Sequence, residues 1–248
     1  MNPSFKIAFG AAEYPFLHTT NDIVVVVDIL RATSTIVRAF MVGAKCIIPV
    51  ATVQEARLLA QQGYPVGGER DACKLNFAQW GNDPEEYTAN TVAGRSIVLT
   101  TTNGTQAIEA AYHTGIQEIV IGAFANLGAL AQYCHNRPHR NIVVIASGWK
   151  GRFCLEDVFW GGALLQTLQQ MGATYTTDDS ATMALDMYRT HHGKPHAFLS
   201  QCDHNQRLLN KGFCHSLSYC LQTNITSLVP YVVPAKETSS LFRYQLSV

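Results

Sequence analysis

The sequence predicts an α/β protein, a layered α/β/α arrangement around a mostly parallel or mixed sheet. Three observations predict it. Short, β-branched apolar runs recur at residues 23–27, 46–50, 96–100, 118–121 and 141–146. Segments with helical spacing of apolar residues lie between them. Most runs give way to small, polar or glycine-rich residues, as strands do where they turn into helices. Alternation of this kind builds a sheet with helices on both faces.

The run Ile23-Val24-Val25-Val26-Val27 has no apolar–polar alternation, which marks a strand buried on both faces. Residues 52–62 place Val53, Ala56, Leu59 and Ala60 on one helical face, with Gly63 as the stop. Residues 67–84 break the rhythm with Gly67, Gly68, Gly81 and Pro84, and read as a long functional loop or pair of loops. Residues 105–113, 126–134 and 156–171 read as helices, the first ending at Gly115, the second opened by a capping Asn126, the third closed by Gly172. Beyond residue 176 the chain is more helical and more polar. A cap over 176–180 leads into a helix over 181–188, and another covers 204–211 before Gly212. The proline-bearing stretch 228–234 reads as an edge strand, because proline cannot donate to a ladder. No repeat or linker interrupts the pattern. Residues 1–248 therefore read as a single α/β domain, or two intimately packed subdomains without a visible boundary.

The chain has 248 residues, with 18 Lys+Arg balanced by 18 Asp+Glu. The basic residues are scattered, which argues against nucleic-acid and membrane-surface binders. Seven cysteines without a CxxC pair suit a reducing compartment and lack the paired spacing of a zinc site. No apolar run approaches the roughly 20 residues of a membrane span, and the N-terminus lacks a signal-peptide pattern. A soluble, cytoplasmic protein is the expectation.

Four polar clusters carry the chemistry. The first joins Asp28 and Arg31 to Thr33, Ser34 and Thr35 at a strand end and helix start. Open α/β folds place ligands at such ends, and a helix N-terminus favours an anion. The second is Gly67-Gly68-Glu69-Arg70, an acid and a base after two glycines. The third, over residues 100–105, supplies Thr101, Asn103, Gly104 and Thr105. The fourth runs from Ser147 through Gly148 and Gly151 to the paired acids Glu156 and Asp157. Taken singly, each also reads as a helix cap or a turn. Taken together, parallel strands gather most of them at one sheet edge. There, Asp28, Glu69, Glu156 and Asp157 are candidate ligands for a hard divalent cation, of which no more than two need be direct ligands. The histidines carry little signal by comparison.

Residues 27–36, Gly68-Glu69-Arg70, Gly81-Asn82-x-Pro84, residues 100–105 and residues 151–157 together resemble the 2-phosphosulfolactate phosphatase family. The resemblance extends over nearly the whole chain. It implies a family-specific α/β fold and a Mg²⁺-dependent phosphatase acting on phosphate esters of small 2-hydroxy acids. The namesake reaction converts 2-phosphosulfolactate to sulfolactate on the route to coenzyme M. The chain departs from the pattern at Asp83, at residues 71–74, and at Trp149 and Lys150, which alter the acid-binding end of the expected pocket.

On this reading Asp28, Arg31, Glu69 and Arg70 are the catalytic candidates. Thr33, Ser34, Asn82, Thr101, Asn103, Gly104, Thr105, Gly148 and Gly151 are the substrate-binding candidates. Magnesium is assigned to Asp28 with help from Glu69 or the Glu156/Asp157 pair, and attack to water or to Asp28 itself. A haloacid dehalogenase-type phosphatase is the enzymatic alternative, but Leu30 stands where its second aspartate belongs. A non-catalytic sensor of a phosphorylated metabolite is the other. The expected partner is a small phosphorylated acid, with a homodimer as the prior for such an enzyme.

Overall fold

The computed structural model describes residues 2–239 and 242–248. In chain order it runs β1 (Ser4–Ala8), α1 (Tyr14–Leu17), β2 (Asp22–Val27), α2 (Ala32–Met41), β3 (Cys46–Pro49) and α3 (Val53–Gln61). There follow β4 (Val66–Arg70), β5 (Cys73–Lys74), α4 (Ala89–Val92), β6 (Ser96–Thr100), α5 (Gly104–His113), β7 (Ile119–Gly122) and α6 (Leu127–His135). The last part comprises β8 (Asn141–Ala146), α7 (Leu155–Gln170), β9 (Thr176–Thr177), α8 (Asp179–His191), α9 (Pro195–Leu199), α10 (Asp203–Asn210), α11 (Ser216–Cys220), β10 (Tyr231–Ser239) and β11 (Phe242–Ser247).

The described strands join one mixed sheet in the order β5-β4-β6-β3-β11-β10-β7-β2-β8-β1-β9. The α/β expectation holds. At its heart β2 pairs in parallel with β8 from Asp22↔Asn141 to Val27↔Ala146, and with β7 on its other side. Every residue of β2 is buried, which is why its sequence lacks alternation. One apolar layer, with Phe159, Trp160 and Leu164 of α7, covers one face. A second, with Ile36 and Phe40 of α2 and Ile108 of α5, covers the other. A third lies where α3 meets β3, β4 and β6. Local signals set the ends of these helices. Thr52 and Glu55 form a reciprocal capping box at α3, and the Asp178 side chain accepts from Ala181 N at the start of α8. No described helix is long and apolar enough to cross a membrane.

Three expectations are corrected. The first concerns Gly67 and Gly68, which lie in β4, paired with Leu99 and Thr100 of β6, and not in a loop. They are glycines because the strand runs under tight cover. A Cβ on Gly67 would collide with the Tyr87 hydroxyl, and one on Gly68 would lie 2.8 Å from the Thr100 carbonyl oxygen. A strand stripped of side chains for close approach resembles a loop in composition.

The second concerns the proline-bearing C-terminal strand, which is not at an edge. The β10–β11 hairpin is inserted between β7 and β3 and so joins the two halves of the sheet. Its seams are narrow: β10 pairs with β7 at Tyr231↔Val120, and β11 with β3 at Leu246↔Ile47. Pro234 pairs on the β11 side, opposite Tyr244, where the missing N–H leaves the β7 seam untouched.

The third concerns how the polar turns come together. β2 and β8 run parallel, as do β4 and β6, so each half gathers its own strand ends. Between the halves, however, lie the antiparallel pairings β7–β10, β10–β11 and β11–β3, which reverse one half against the other. The turns therefore do not share one edge of a parallel sheet. Two sets of strand ends approach each other instead, with Asp28 and Ser147 from one half and Glu69 and Thr101 from the other.

Leu246 is fully buried in the seam. Leu246→Ala is expected to lower unfolding free energy by about 2–5 kcal/mol, read as a reduced denaturant midpoint. An unchanged midpoint would mean that the hairpin does not hold the halves together.

Candidate active site

The turn after β2 is locked by its own side chains. Asp28 N donates to Thr33 Oγ1 (3.1 Å), and Thr33 N donates to Asp28 O (2.9 Å). Ser34 Oγ donates to Ile29 O (2.9 Å). The Asp28 carboxylate, 6 % exposed, accepts from Ala32 N at the start of α2 (3.2 Å). Arg31 is also buried. Its Nη1 reaches Asp83 Oδ2 at 3.3 Å and Ser216 Oγ at 3.5 Å, and its guanidinium lies 3.8 Å from the Phe213 ring centroid.

The turn after β6 comes in from the other half of the sheet. Thr101 and Thr105 bond each other, Thr101 N to Thr105 Oγ1 (3.3 Å) and Thr105 N to Thr101 Oγ1 (3.2 Å), and both are fully buried. Gly104 allows α5 to close on Asp28: a Cβ there would lie 2.6 Å from Ala32 Cβ and 3.0 Å from Asp28 Oδ2. Asn103 Oδ1 accepts from Lys150 N (3.0 Å). Glu69 spends its oxygens on this turn, accepting from Thr102 N (2.8 Å), Thr102 Oγ1 (2.9 Å) and Ala72 N (2.7 Å). Arg70 turns away, donating to the carbonyls of Glu69 (2.6 Å) and Ala51 (3.0 Å) and to Thr100 Oγ1 (2.9 Å).

The first turn of α7 places Glu156 and Asp157 behind Asp28. Asp157 Oδ1 accepts from Ile29 N (3.0 Å), tying α7 to the β2 turn. Glu156 Oε1 meets His204 Nδ1 of α10 at 3.2 Å. Gly148 (φ 69°) sits where a Cβ would lie 2.5 Å from the Arg152 carbonyl, and Gly151 (φ 75°) completes that reversed turn. Trp149 lies between them, bridged to Arg152.

Crowding sets the charges here. Burial drives the Asp28 carboxyl up to about 6; His204 and the Ala32 N–H oppose the rise, and Glu69 and Glu156 add to it. Asp157 is raised well above the usual carboxylate range by burial, then by the charges of Glu156 and Asp28. Glu156 goes the other way: burial alone would raise it, but the hydrogen bond and charge of His204 outweigh this and hold it low. Cys154 Sγ lies within 4.8 Å of ligand atoms of Glu156 and His204. Burial and the neighbouring carboxylates push its thiol far up, so it is protonated in the metal-free protein, and a thiol is a soft ligand ill-suited to a hard cation. The remaining groups, Asp28 and Asp157, are buried oxygen donors short of positive charge. Their chemistry fits a hard divalent cation.

These walls enclose a cavity of about 300 Å³. Asp28, Arg31, Glu69, Asn82 and Asn103 of the expected set line it. Asn82 Oδ1 is buried and, among the described residues, has no hydrogen-bond partner, so an acceptor is left for a ligand. Thr33, Ser34, Thr101, Gly104 and Thr105 lie beneath the wall and shape it, while Arg70 does not reach it. Sequence reasoning missed His204, Arg207 and Lys211, which line the opposite side from α10 and the residue after it. Only their helical spacing hinted at them, since that wall is brought over by tertiary packing.

Comparison with known proteins points to a single family. The family model described as 2-phosphosulpholactate phosphatase matches residues 12–234. A relative from Thermotoga maritima, named "Probable 2-phosphosulfolactate phosphatase", is 35% identical over 209 residues, covering 84% of this chain and 88% of its own. Relatives of the same name from Gloeobacter violaceus and Clostridium acetobutylicum are 35% and 32% identical over 216 and 213 residues. Each covers 85% of this chain, and 88% and 89% of its own length respectively.

The raised Asp28 carboxyl has a signed consequence for stability. Its folded pKa, about 6, exceeds the ordinary value of 3.8, so the benefit of the proton is full below about 4 and lost as pH rises through 6. The amide that replaces it in Asp28→Asn does not titrate. In EDTA, the melting temperature of this variant relative to wild type is therefore expected to climb between pH 4 and 7. A difference that stays flat across that window would show that Asp28 is not held protonated by burial.

Proposed function

This chain belongs to the 2-phosphosulfolactate phosphatase family, and we propose that it hydrolyses the phosphate monoester of a small 2-hydroxy acid, 2-phosphosulfolactate, to sulfolactate and phosphate. The observation that carries the reading is the placement of Arg31 beside Asp28 at a strand end, in one cavity with Asn82 and Asn103. A buried arginine fork suits a phosphate dianion. Its counter-ion Asp83 and the Phe213 ring hold the fork in place before any ligand arrives. Asn103, whose Oδ1 is taken up by Lys150 N, is left to orient the ester through its amide N–H. Glu69 stiffens the Thr102 turn from below.

Asp28 and Asp157 are the residues we assign to Mg²⁺, with Glu156 held by His204 and Glu69 by its own turn. When bound, the ion offsets phosphate charge that two carboxylates would otherwise repel. Hydrolysis joins a water oxygen to phosphorus and breaks the phosphorus–ester oxygen bond, and the leaving alkoxide takes a proton. His204, engaged through Nδ1 by Glu156, keeps Nε2 for that oxygen. Water is the favoured attacking group, since the Asp28 carboxylate is committed to Ala32 N and hemmed by α5. The product belongs to the coenzyme M route on this reading.

The test is phosphate release from 2-phosphosulfolactate with Mg²⁺ and with EDTA, in wild type and Arg31→Ala. Mg²⁺-dependent release is expected, with kcat/KM falling by at least roughly 100-fold in the variant while it still melts cooperatively. Full activity in EDTA would remove the metal assignment. Near-normal turnover by Arg31→Ala would remove the phosphate clamp.

A further inference from the structure

The cavity has a second cationic wall, opposite the strand ends, that the phosphate does not need. Arg207 and Lys211 stand four residues apart, so they share one face of α10 and its C-terminal turn, and both line the cavity. The Arg207 guanidinium lies 4.0 Å from the Trp149 ring centroid. Among the described residues it has no carboxylate partner and makes no hydrogen bond. Other arginines of this protein are spent: Arg31 on Asp83, and Arg137 and Arg140 on Glu118. The neighbouring Lys150 is spent as well, paired with Asp71 at 2.6 Å. Among the described residues Lys211 Nζ forms no ion pair: it meets Cys73 Sγ at 3.6 Å and feels the charge of Asp71, whose own ion pair is with Lys150. An arginine seated over an indole face is held in place while keeping N–H groups for a ligand.

We propose that Arg207, presented by Trp149, and Lys211 form an anion subsite that binds the acid group of the substrate remote from the phosphate. It selects esters carrying an additional sulfonate or carboxylate. This rests on the reading of the cavity as a phosphatase site. The two ends of the cavity differ in sign in a way that fixes the pose. Asp28 and Glu69 line the strand-end wall, where a free carboxylate or sulfonate is repelled, and only the phosphate has Arg31 there to meet it. The α10 side carries Arg207 and Lys211, neither of them ion-paired with a carboxylate among the described residues, and these attract the remaining acid. A cavity of about 300 Å³ is at the small end for ligand sites. It suits a three-carbon ester whose acid groups reach both walls at once.

Arg207→Met keeps the stem against Trp149 and removes the fork. It is to be assayed with Mg²⁺ on 2-phosphosulfolactate and on 2-glycerol phosphate, which has no second acid, alongside calorimetric binding of the product sulfolactate. The preference for the sulfonate ester, as a ratio of kcat/KM values, is expected to fall roughly 10- to 100-fold. The loss should lie mainly in KM, with sulfolactate binding weakened to match. Arg207→Lys, which keeps the charge but not the fork, should restore part of the ratio. An unchanged ratio, or an equal loss on both esters, overturns the subsite while leaving the phosphatase reading intact. Arg207-dependent binding of sulfolactate by a wild type that releases no phosphate keeps the subsite and overturns the phosphatase reading.

Discussion

Everything in this site depends on burying carboxylates where strands end, with too little positive charge beside them. Asp28 and Asp157 are placed by backbone: Asp28 directly follows a fully buried strand, and Asp157 is fixed by the first turn of α7 and its bond from Ile29 N. Neither can swing out to solvent without breaking the turn that follows β2. Glu156 escapes the same strain because His204 meets it. The charge deficit is thus confined to two acids, beside an arginine that is itself fixed by Asp83 and Phe213. Such an arrangement costs folding stability, and a fold retains it where a ligand makes up the deficit.

The C-terminal hairpin matters to function for a topological reason. Asp28 and Asp157 belong to the half of the sheet built on β7, β2, β8, β1 and β9. Glu69, Thr102 and Asn103 belong to the half built on β5, β4, β6 and β3. The hairpin joins the halves in opposite directions, and Gly104 comes up to the Asp28 carboxylate where their strand ends meet. The third wall comes from α10 and the residue after it, which bring His204, Arg207 and Lys211 to the cavity. The cavity is a product of three parts of the chain far apart in sequence.

That origin explains what could be read from residues alone. The central strands were legible because burial on both faces leaves an unbroken apolar run, and their polar ends were legible because ligand sites of α/β folds collect there. How those ends meet was not legible, since strand direction across the hairpin depends on pairings between distant segments. Gly67 and Gly68 misled because close cover by Tyr87 and Thr100 removes side chains from a strand and leaves a loop-like composition. The stretch around Pro230 and Pro234 misled because the rule against proline inside sheets assumes a full ladder on each side, and here the β7 seam is a single bridge. Thr101 and Thr105 were correctly seen as hydroxyls at a helix start, but spacing cannot tell a cap from a ligand. Arg70 looked equal to Arg31 until the backbone showed which way each points. His204 and Arg207 offered no more than helical spacing, since their partners Glu156 and Trp149 lie on a separate segment.

The most direct measurement is calorimetric titration of Mg²⁺ into the metal-free protein near pH 6, in two buffers of different ionisation enthalpy. If Asp28 and Asp157 are held partly protonated by burial and then taken over by a hard cation, binding releases protons. The apparent enthalpy then differs between the two buffers. Binding with no proton release, or no binding at all, would contradict the proposal that Asp28, in the cavity wall, and Asp157, buried behind it, hold the cation.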